Sequence, residues 1–421
     1  MNEFNVSIYA LKDIIENGGH FQSTIKKYLT SHKEVERPIL SALVGCELRH
    51  HLVFDMLITS KFPNLVKDDL YFALLIALAN KLFAKRIDEG EVEAFLSILL
   101  NNLHPELDSK EVLSFLSSVN DTATLIPADV PITSLEFKSY RFNTPLWLIK
   151  MWQKHYGPAK ATKILKANTK SQKISCFVNT KYSSMKEVLD THLFAPFDDL
   201  KNVVIYLGKS PLKKNDFFRN FDVFMQKLAV SDMIYQLSLP SVLDILIYAE
   251  DYSTVFGSLT TLYNKENLKM ELAVPSLENR VELLRLVKLN KLNNIHLFAS
   301  SKSALIAHLH ETYPYVIYAP RNSNFDIIRS QPDYLIHFKQ EMLDSFIANQ
   351  KEGLEELAKF VSPDGYLIYH ISTLSKKEGR GLIATFLEEH KEFSLELEKE
   401  YFPYDKFDTC FYFAKLKKSS E

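Results

Sequence analysis

Apolar residues recur every three to four positions through the first 125 residues. Ile8, Leu11, Ile14 and Ile15 mark one helical face that Gly18 and Gly19 end, and LYFALLIALANKLFAKRI (70–87) is a strongly apolar helix with a basic end. This pattern predicts an all-α bundle over residues 1–125. A polar stretch, SVNDTATLIPADVPITSL (118–135), has the turn residues of a linker. TPLWLIKMWQKHYGPAKATKILKAN (144–168) then predicts two short helices broken at Gly157-Pro158. With the strands KISCFVNT (173–180) and NVVIYL (202–207), and a helix from Met185 to Leu193 between them, it forms a small α+β module over 136–210.

From about residue 215 strands and helices alternate. The expected order is a helix (221–235), the strand VLDILIY (242–248), a helix, the strand MELAV (270–274), a helix (277–291), the strand NIHLFA (294–299) and another helix. YVIYAP (315–320), a long helix (337–360), GYLIYHIS (365–372) and a helix (378–390) follow, and DTCFYFAKLKK (408–418) closes the chain as an antiparallel strand at the sheet edge. Alternation of this kind predicts an α/β domain over 211–421 with a mostly parallel sheet covered on both faces.

The 421 residues exceed one ordinary core and suit two or three domains. Fifty Lys and Arg against 52 Asp and Glu give a formal charge of -2, so any nucleic-acid site has to be a local patch. Cys46, Cys176 and Cys410 are far apart and make no metal-ligand spacing, which fits a reduced, cytoplasmic setting. The N-terminus lacks the basic and apolar blocks of a signal peptide, and no apolar run is long enough to span a membrane.

Several collinear segments carry a resemblance. PLWLIKMWQKHYG (145–157), FVNT (177–180), MQKLA (225–229), RSQPDY (329–334) and DTCFYFAKLKK are spaced like the Pro-x-Trp-Leu, Arg-Val-Asn-Thr, Val-Gln-Asp-x-Ala, Arg-x-x-Pro-Asp and Asp-Gly-Phe-Phe-x-Ala-x-Leu segments of the 16S rRNA cytosine-5 methyltransferase B family. The resemblance spans nearly the whole chain. It implies a helical, RNA-binding N-terminal domain similar to the antitermination factor NusB and a Rossmann-like domain that binds S-adenosylmethionine.

The family's chemical motifs are replaced. In that family the cysteine of a Thr-Cys-Thr turn attacks C6 of cytosine, and a second cysteine in Asp-Ala-Pro-Cys helps release the product. Here the first turn is Ile371-Ser372-Thr373, followed by Glu378-Gly379 for the family's Glu-Asn, and the second is Tyr318-Ala319-Pro320-Arg321. A thiol can be tuned to a thiolate near neutrality, whereas a serine hydroxyl needs a neighbouring base. The nearest candidate, His370, is expected to point to the opposite face. Losing a covalent nucleophile costs about a millionfold in rate in serine proteases.

The implied cofactor site is altered as well. The family's glycine-rich loop, resembling Ala-Pro-Gly-Gly-Lys-Thr, is here Tyr248-Ala249-Glu250-Asp251-Tyr252-Ser253, with side chains and two carboxylates where the ligand would come. Pro275 stands at the position of the ribose-binding acid, and Ser300 and Ser301 at that of the aspartate near the adenine. The resemblance thus implies S-adenosylmethionine for the family and a vestigial pocket, without cofactor, for this chain.

Between Gly157 and Lys186 there is no Asp or Glu, and Lys160, Lys163, Lys166, Lys170 and Lys173 recur at helical spacing. They form a candidate RNA-phosphate patch or, alternatively, a solvated face. Arg321 and Arg329 flank the cleft and either bind phosphate or plug a vacant pocket. Trp147 and Trp152 read as core, and the pairs His50, His51 and His308, His310 as surface rather than metal sites. Three functions stay open: an RNA-binding, catalytically inactive family member; an active RNA methyltransferase with an unusual site; and a protein-interaction scaffold using the helical domain.

Overall fold

The apolar segment beginning at Leu70 is buried on every side, from Leu70 through Ala79. A helix apolar all round must be enclosed by others. In the computed structural model, which describes residues 2–240, 243–250, 268–274, 280–281, 283–284, 287–288, 295–298, 305, 307, 309 and 311–420, that enclosure is a bundle. It comprises α1 (Asn2–Asn17), α2 (Phe21–Ser31), α3 (Arg37–Lys61), α4 (Asp69–Ala79), α5 (Glu89–Leu103) and α6 (Ser109–Ser118), with α1, α3 and α5 against α4. Asp68 caps α4 by accepting from the amides of Leu70 and Tyr71.

The single helix expected to residue 87 is shorter. A π-turn takes over at Asn80–Ala84, and Lys85 ends it at φ 49°. The buried side chain of Asn80 accepts from the amides of Arg86 (2.9 Å) and Ile87 (3.1 Å) and donates to the Ile87 carbonyl (2.8 Å), which turns the chain there.

After α7 (Leu135–Phe142), α8 (Leu146–Asn168) breaks at Gly157, whose φ of 80° and ψ of 161° are non-helical, so the expected pair of helices is present. Trp152 is fully buried and Trp147 stacks on Phe338 at 5.9 Å. Residues Met1–Thr169 group with a returning segment, Ile327–Gln340, whose short helix Tyr334–His337 sets Ile336 against the bundle core. His50 and His51 are half-buried rather than on the surface: His50 stacks on Phe83 at 3.8 Å and His51 Nδ1 lies 2.6 Å from the buried Glu47 carboxylate. Among the described residues no helix is long and apolar enough to cross a membrane.

The second unit is Lys170–Asp326 with Glu341–Glu421. Its small sheet has the order β2-β3-β1-β4, antiparallel throughout, from β1 (Ser175–Val178), β2 (Phe194–Pro196), β3 (Val203–Tyr206) and β4 (Val223–Met225). The helix expected from 221 is therefore a strand first, paired Phe177 to Phe224, and the small sheet draws on residues past 210. Short helices α9 (Met185–Asp190) and α10 (Asp216–Arg219) connect its strands, and α11 (Leu228–Leu237) follows.

The large sheet has the order β10-β11-β9-β8-β5-β6-β7. Its strands are β5 (Leu243–Ala249), β6 (Leu268–Ala273), β7 (Ile295–Phe298), β8 (Tyr313–Ala319), β9 (Val361–Ile371), β10 (Phe393–Tyr401) and β11 (Phe411–Lys418). β5 to β9 run parallel and β11 alone runs against its neighbours. The closing strand is antiparallel as expected but not at the edge, because β10, absent from the sequence reading, lies outside it. One face packs on α12 (Met342–Ala358) and α13 (Arg380–Glu389) through Leu354, Leu357, Ile383 and Phe386; the other meets α11 through Val230, Met233 and Leu237. This is the mostly parallel, two-sided sheet of a Rossmann-like methyltransferase fold.

Candidate functional site

Strand order reverses between β5 and β8, and in open α/β sheets the ligand crevice lies at the carboxyl ends of the strands at such a switch point. β5 ends in Tyr248-Ala249 and β8 in Tyr318-Ala319, which are partners in the parallel register, and Tyr369 of β9 pairs with Tyr318 in turn. These three tyrosines point to one face, with ring centroids 6.0 Å and 5.9 Å apart along the row, and all are buried. Burial raises the Tyr318 and Tyr369 hydroxyls well above the ordinary value, so both stay protonated. Tyr318 reaches α12, where a Cβ on Gly353 would stand 2.1 Å from its hydroxyl; only glycine admits the ring.

Glu250 follows β5 at the carboxyl end of the sheet. Its amide donates to the Ala319 carbonyl at 2.9 Å, and its carboxylate accepts from the Arg321 amide at 2.7 Å. The Arg321 side chain is exposed, so what the residue gives the crevice wall is its backbone: its carbonyl accepts from Gln350 Nε2 at 3.0 Å. Of the other residues expected in the cofactor pocket, Asp251, Tyr252, Pro275, Ser300 and Ser301 lie outside the described residues, as do His308 and His310.

Ser372 follows β9 and is buried. Its hydroxyl oxygen accepts from Lys227 Nζ at 3.3 Å, and Lys227 Nζ is 2.8 Å from the Asp326 carboxylate. Asp326 is enclosed: it also accepts from Thr409 Oγ1 (2.8 Å), the Cys410 amide (2.7 Å) and Gln172 Nε2 (3.3 Å). Burial alone would raise its pKa, but the Lys227 charge and these donors outweigh it and hold the carboxyl below the usual range. A lysine fixed as ammonium by a buried carboxylate donates to Ser372 and takes no proton from it.

His370 was expected on the face opposite Ser372. Positions two apart in an extended chain share a face, and Lys227, which binds Ser372, also acts on His370. Burial, with a smaller contribution from the Lys227 charge, lowers the imidazole to about 3, and its Nε2 makes no hydrogen bond. It is neutral and a very weak base at physiological pH.

The loops after β8 and β9 are tied together by Glu378. Its carboxylate accepts from the Ser323 amide (2.9 Å), Ser323 Oγ (2.5 Å) and Gln350 Nε2 (3.1 Å). Ser323 Oγ also meets Thr373 Oγ1 at 2.6 Å, and Tyr369 donates to the Glu378 carbonyl at 2.8 Å. Burial raises the Glu378 pKa. Sequence reasoning missed Lys227, Asp326 and the bracing by Glu378. Lys227 stood within a segment read as helix, although its place in MQKLA, opposite the aspartate of Val-Gln-Asp-x-Ala, was a usable signal.

Lys160, Lys163 and Lys166 are exposed along the part of α8 after Pro158, opposite the buried Ala161, Ile164 and Leu165. Lys170 and Lys173 are exposed in the second unit, where the Asp408 carboxylate accepts from the Lys173 amide at 2.7 Å. Arg329 belongs to the first unit and is half-buried.

Comparisons with known proteins agree with this architecture. Residues 144–191 match the model of the ferredoxin-like domain of RsmF/B-like methyltransferases. The probable ribosomal RNA small subunit methyltransferase B of Bacillus subtilis (strain 168) is 23% identical over 418 residues, covering 94% of this chain and 90% of that protein. Among solved structures, PH0851 superposes with a TM-score of 0.75 at 18% identity, over 99% of this chain and 98% of its own. NSun6 from Pyrococcus horikoshii with SFG gives 0.59 at 13%, over 66% and 99% respectively. A methyltransferase homologue from Pyrococcus horikoshii gives 0.57 at 16%, over 68% and 99%.

The fold is the Rossmann-like fold of methyltransferases. Over nearly its whole length the chain is similar to a small-subunit ribosomal RNA methyltransferase B, and residues 144–191 match the ferredoxin-like domain of RsmF/B-like methyltransferases.

Proposed function

We propose that this chain is an RNA-binding member of the family that has given up methyl transfer. The observation that carries the reading is the crevice at the switch point. Tyr248, Tyr318 and Tyr369 pack as a buried row in the core beside it, and the Glu250 carboxylate there accepts from the Arg321 amide. The carboxylate of S-adenosylmethionine would meet Glu250, and no thiol stands at Ser372. Cys410, although near Asp326, is buried in the wall of the site through its backbone.

On this reading the basic stretch from Lys160 to Lys173 contacts RNA phosphates, since its exposed ammonium groups have no Asp or Glu interleaved. The RNA is ribosomal if the chain shares the substrate named for its Bacillus subtilis relative. The helical unit offers a surface for RNA or for a protein partner.

Titration calorimetry with S-adenosylmethionine, at concentrations able to detect a dissociation constant of about 1 mM, tests the reading. No heat and an unshifted melting temperature are expected, alongside salt-sensitive binding to ribosomal RNA fragments. Cofactor binding overturns it and restores the active methyltransferase, with Ser372→Ala the next variant to assay. Absence of RNA binding with the cofactor also unbound favours a protein scaffold.

A further inference from the structure

Three side chains of metal-ligand type, drawn from distant parts of the chain, converge in the helical unit. His20 precedes α2, Asp333 precedes the short helix Tyr334–His337 and His337 is its last residue; one donor atom from each lies within 4.8 Å of the others. The arrangement leaves Asp333 under-compensated. Aspartate preceding a helix ordinarily accepts from the first amides, yet the Asp333 carboxylate caps none. It is turned toward His20, with 3% of its side chain exposed, and the His20 Nδ1 to Oδ2 distance is 3.4 Å. A charge-assisted bond is closer to about 2.8 Å. A carboxylate buried to this degree calls for a countercharge, and His20, 76% exposed, supplies it only from the rim.

His337 is held in place from outside the cluster. Its Nε2 lies 3.2 Å from the Gly19 carbonyl, a contact of the sort that orients metal-binding imidazoles, and its ring stands edge-on to His20 at 5.9 Å. Two imidazoles and one carboxylate suit zinc or a similar borderline divalent ion, with solvent completing the coordination. The exposed His20 provides the entry path.

We propose that His20, Asp333 and His337 form a zinc-class metal site that staples the start of α2 to the returning segment Ile327–Gln340. The ion would neutralise Asp333 and link residues 313 positions apart in sequence. Because that link is absent from the unfolded chain, metal binding would stabilise the fold.

The test is titration of zinc chloride into the chelator-treated full-length protein, followed by calorimetry and thermal melting. One equivalent should bind and raise the melting temperature, and cobalt in its place should show the visible bands of a low-symmetry nitrogen and oxygen site. His20→Ala and His337→Ala should each weaken binding at least about tenfold while leaving the circular dichroism unchanged. Because His20 is exposed, its variant keeps the test valid even if Asp333→Ala fails to fold. Undiminished zinc affinity in the His20→Ala, His337→Ala double variant, or a dissociation constant weaker than about 1 mM, overturns the proposal.

Discussion

Lys227 Nζ lies 2.8 Å from the fully buried carboxylate of Asp326 and 3.3 Å from the Ser372 hydroxyl, so an ion pair adjoins the residue that follows β9. The pair fixes the lysine in its charged form and the serine as an acceptor. The arrangement contributes to the stability of the α/β unit.

Lys227→Met should therefore destabilise the α/β unit by about 3 kcal/mol at neutral pH, because it strands a buried carboxylate. Asp326 has its folded-state pKa depressed below the unfolded value of about 3.9. Its contribution is thus fully present above that value and is lost as pH falls through the folded-state pKa. Urea unfolding across this range should show the difference between wild type and variant largest near neutrality and shrinking in acid. A pH-independent difference would contradict the assignment.

Glu378 titrates with the opposite sign. Its folded-state pKa is raised by burial, so its contribution is greatest below the unfolded value of about 4.3 and declines as pH rises through the folded-state pKa. Glu378→Gln, which keeps an acceptor for the Ser323 amide, should match or exceed the wild type at neutral pH. Glu378→Ala should cost about 3 kcal/mol by leaving the Ser323 and Gln350 donors without their acceptor. Equal losses in the two variants, measured by urea melts, would show that the carboxyl does not brace the loops.

Gly353→Ala should destabilise by about 1 to 3 kcal/mol, since the added methyl collides with the Tyr318 ring. Combined with Tyr318→Leu, it should lose clearly less than the sum of the single variants. Strict additivity in the double-mutant cycle would mean that the ring does not press on α12.

Replacing Lys160, Lys163 and Lys166 together by Gln should lower affinity for ribosomal RNA fragments and flatten the dependence of log affinity on log salt by about two. Filter binding across a salt series reads both quantities. An unchanged slope would remove this helix face from the interface.

Much of the α/β architecture is legible because its strands are runs of Val, Ile, Leu and Tyr buried from both sides, as in LDILIYA and YPYVIYA. β2 and β4 leave little pattern because they are three residues long, and β10 leaves little because FSLELEKEY interleaves charges, as an edge strand with much of its surface in solvent. At the site, the positions without a thiol or a glycine loop were visible as substitutions. The cluster around Ser372 was not, because Lys227, Asp326 and Ser372 are separated by about 100 and 46 residues and no local spacing joins them. His370 was misplaced for a simpler reason: the period-two rule puts it on the same face as Ser372.

The row of Tyr248, Tyr318 and Tyr369 also limits which substitutions this layer of the sheet tolerates. Replacing any one ring by a small residue would open a cavity beside the other two, and replacing it by an acidic one would bury a new charge there. Each such step costs several kcal/mol before any ligand binds to repay it. Glycine at 353 has meanwhile become obligatory for the ring it admits. The three rings and Gly353 thus form one interlocked layer, in which a change at any member is felt by the others.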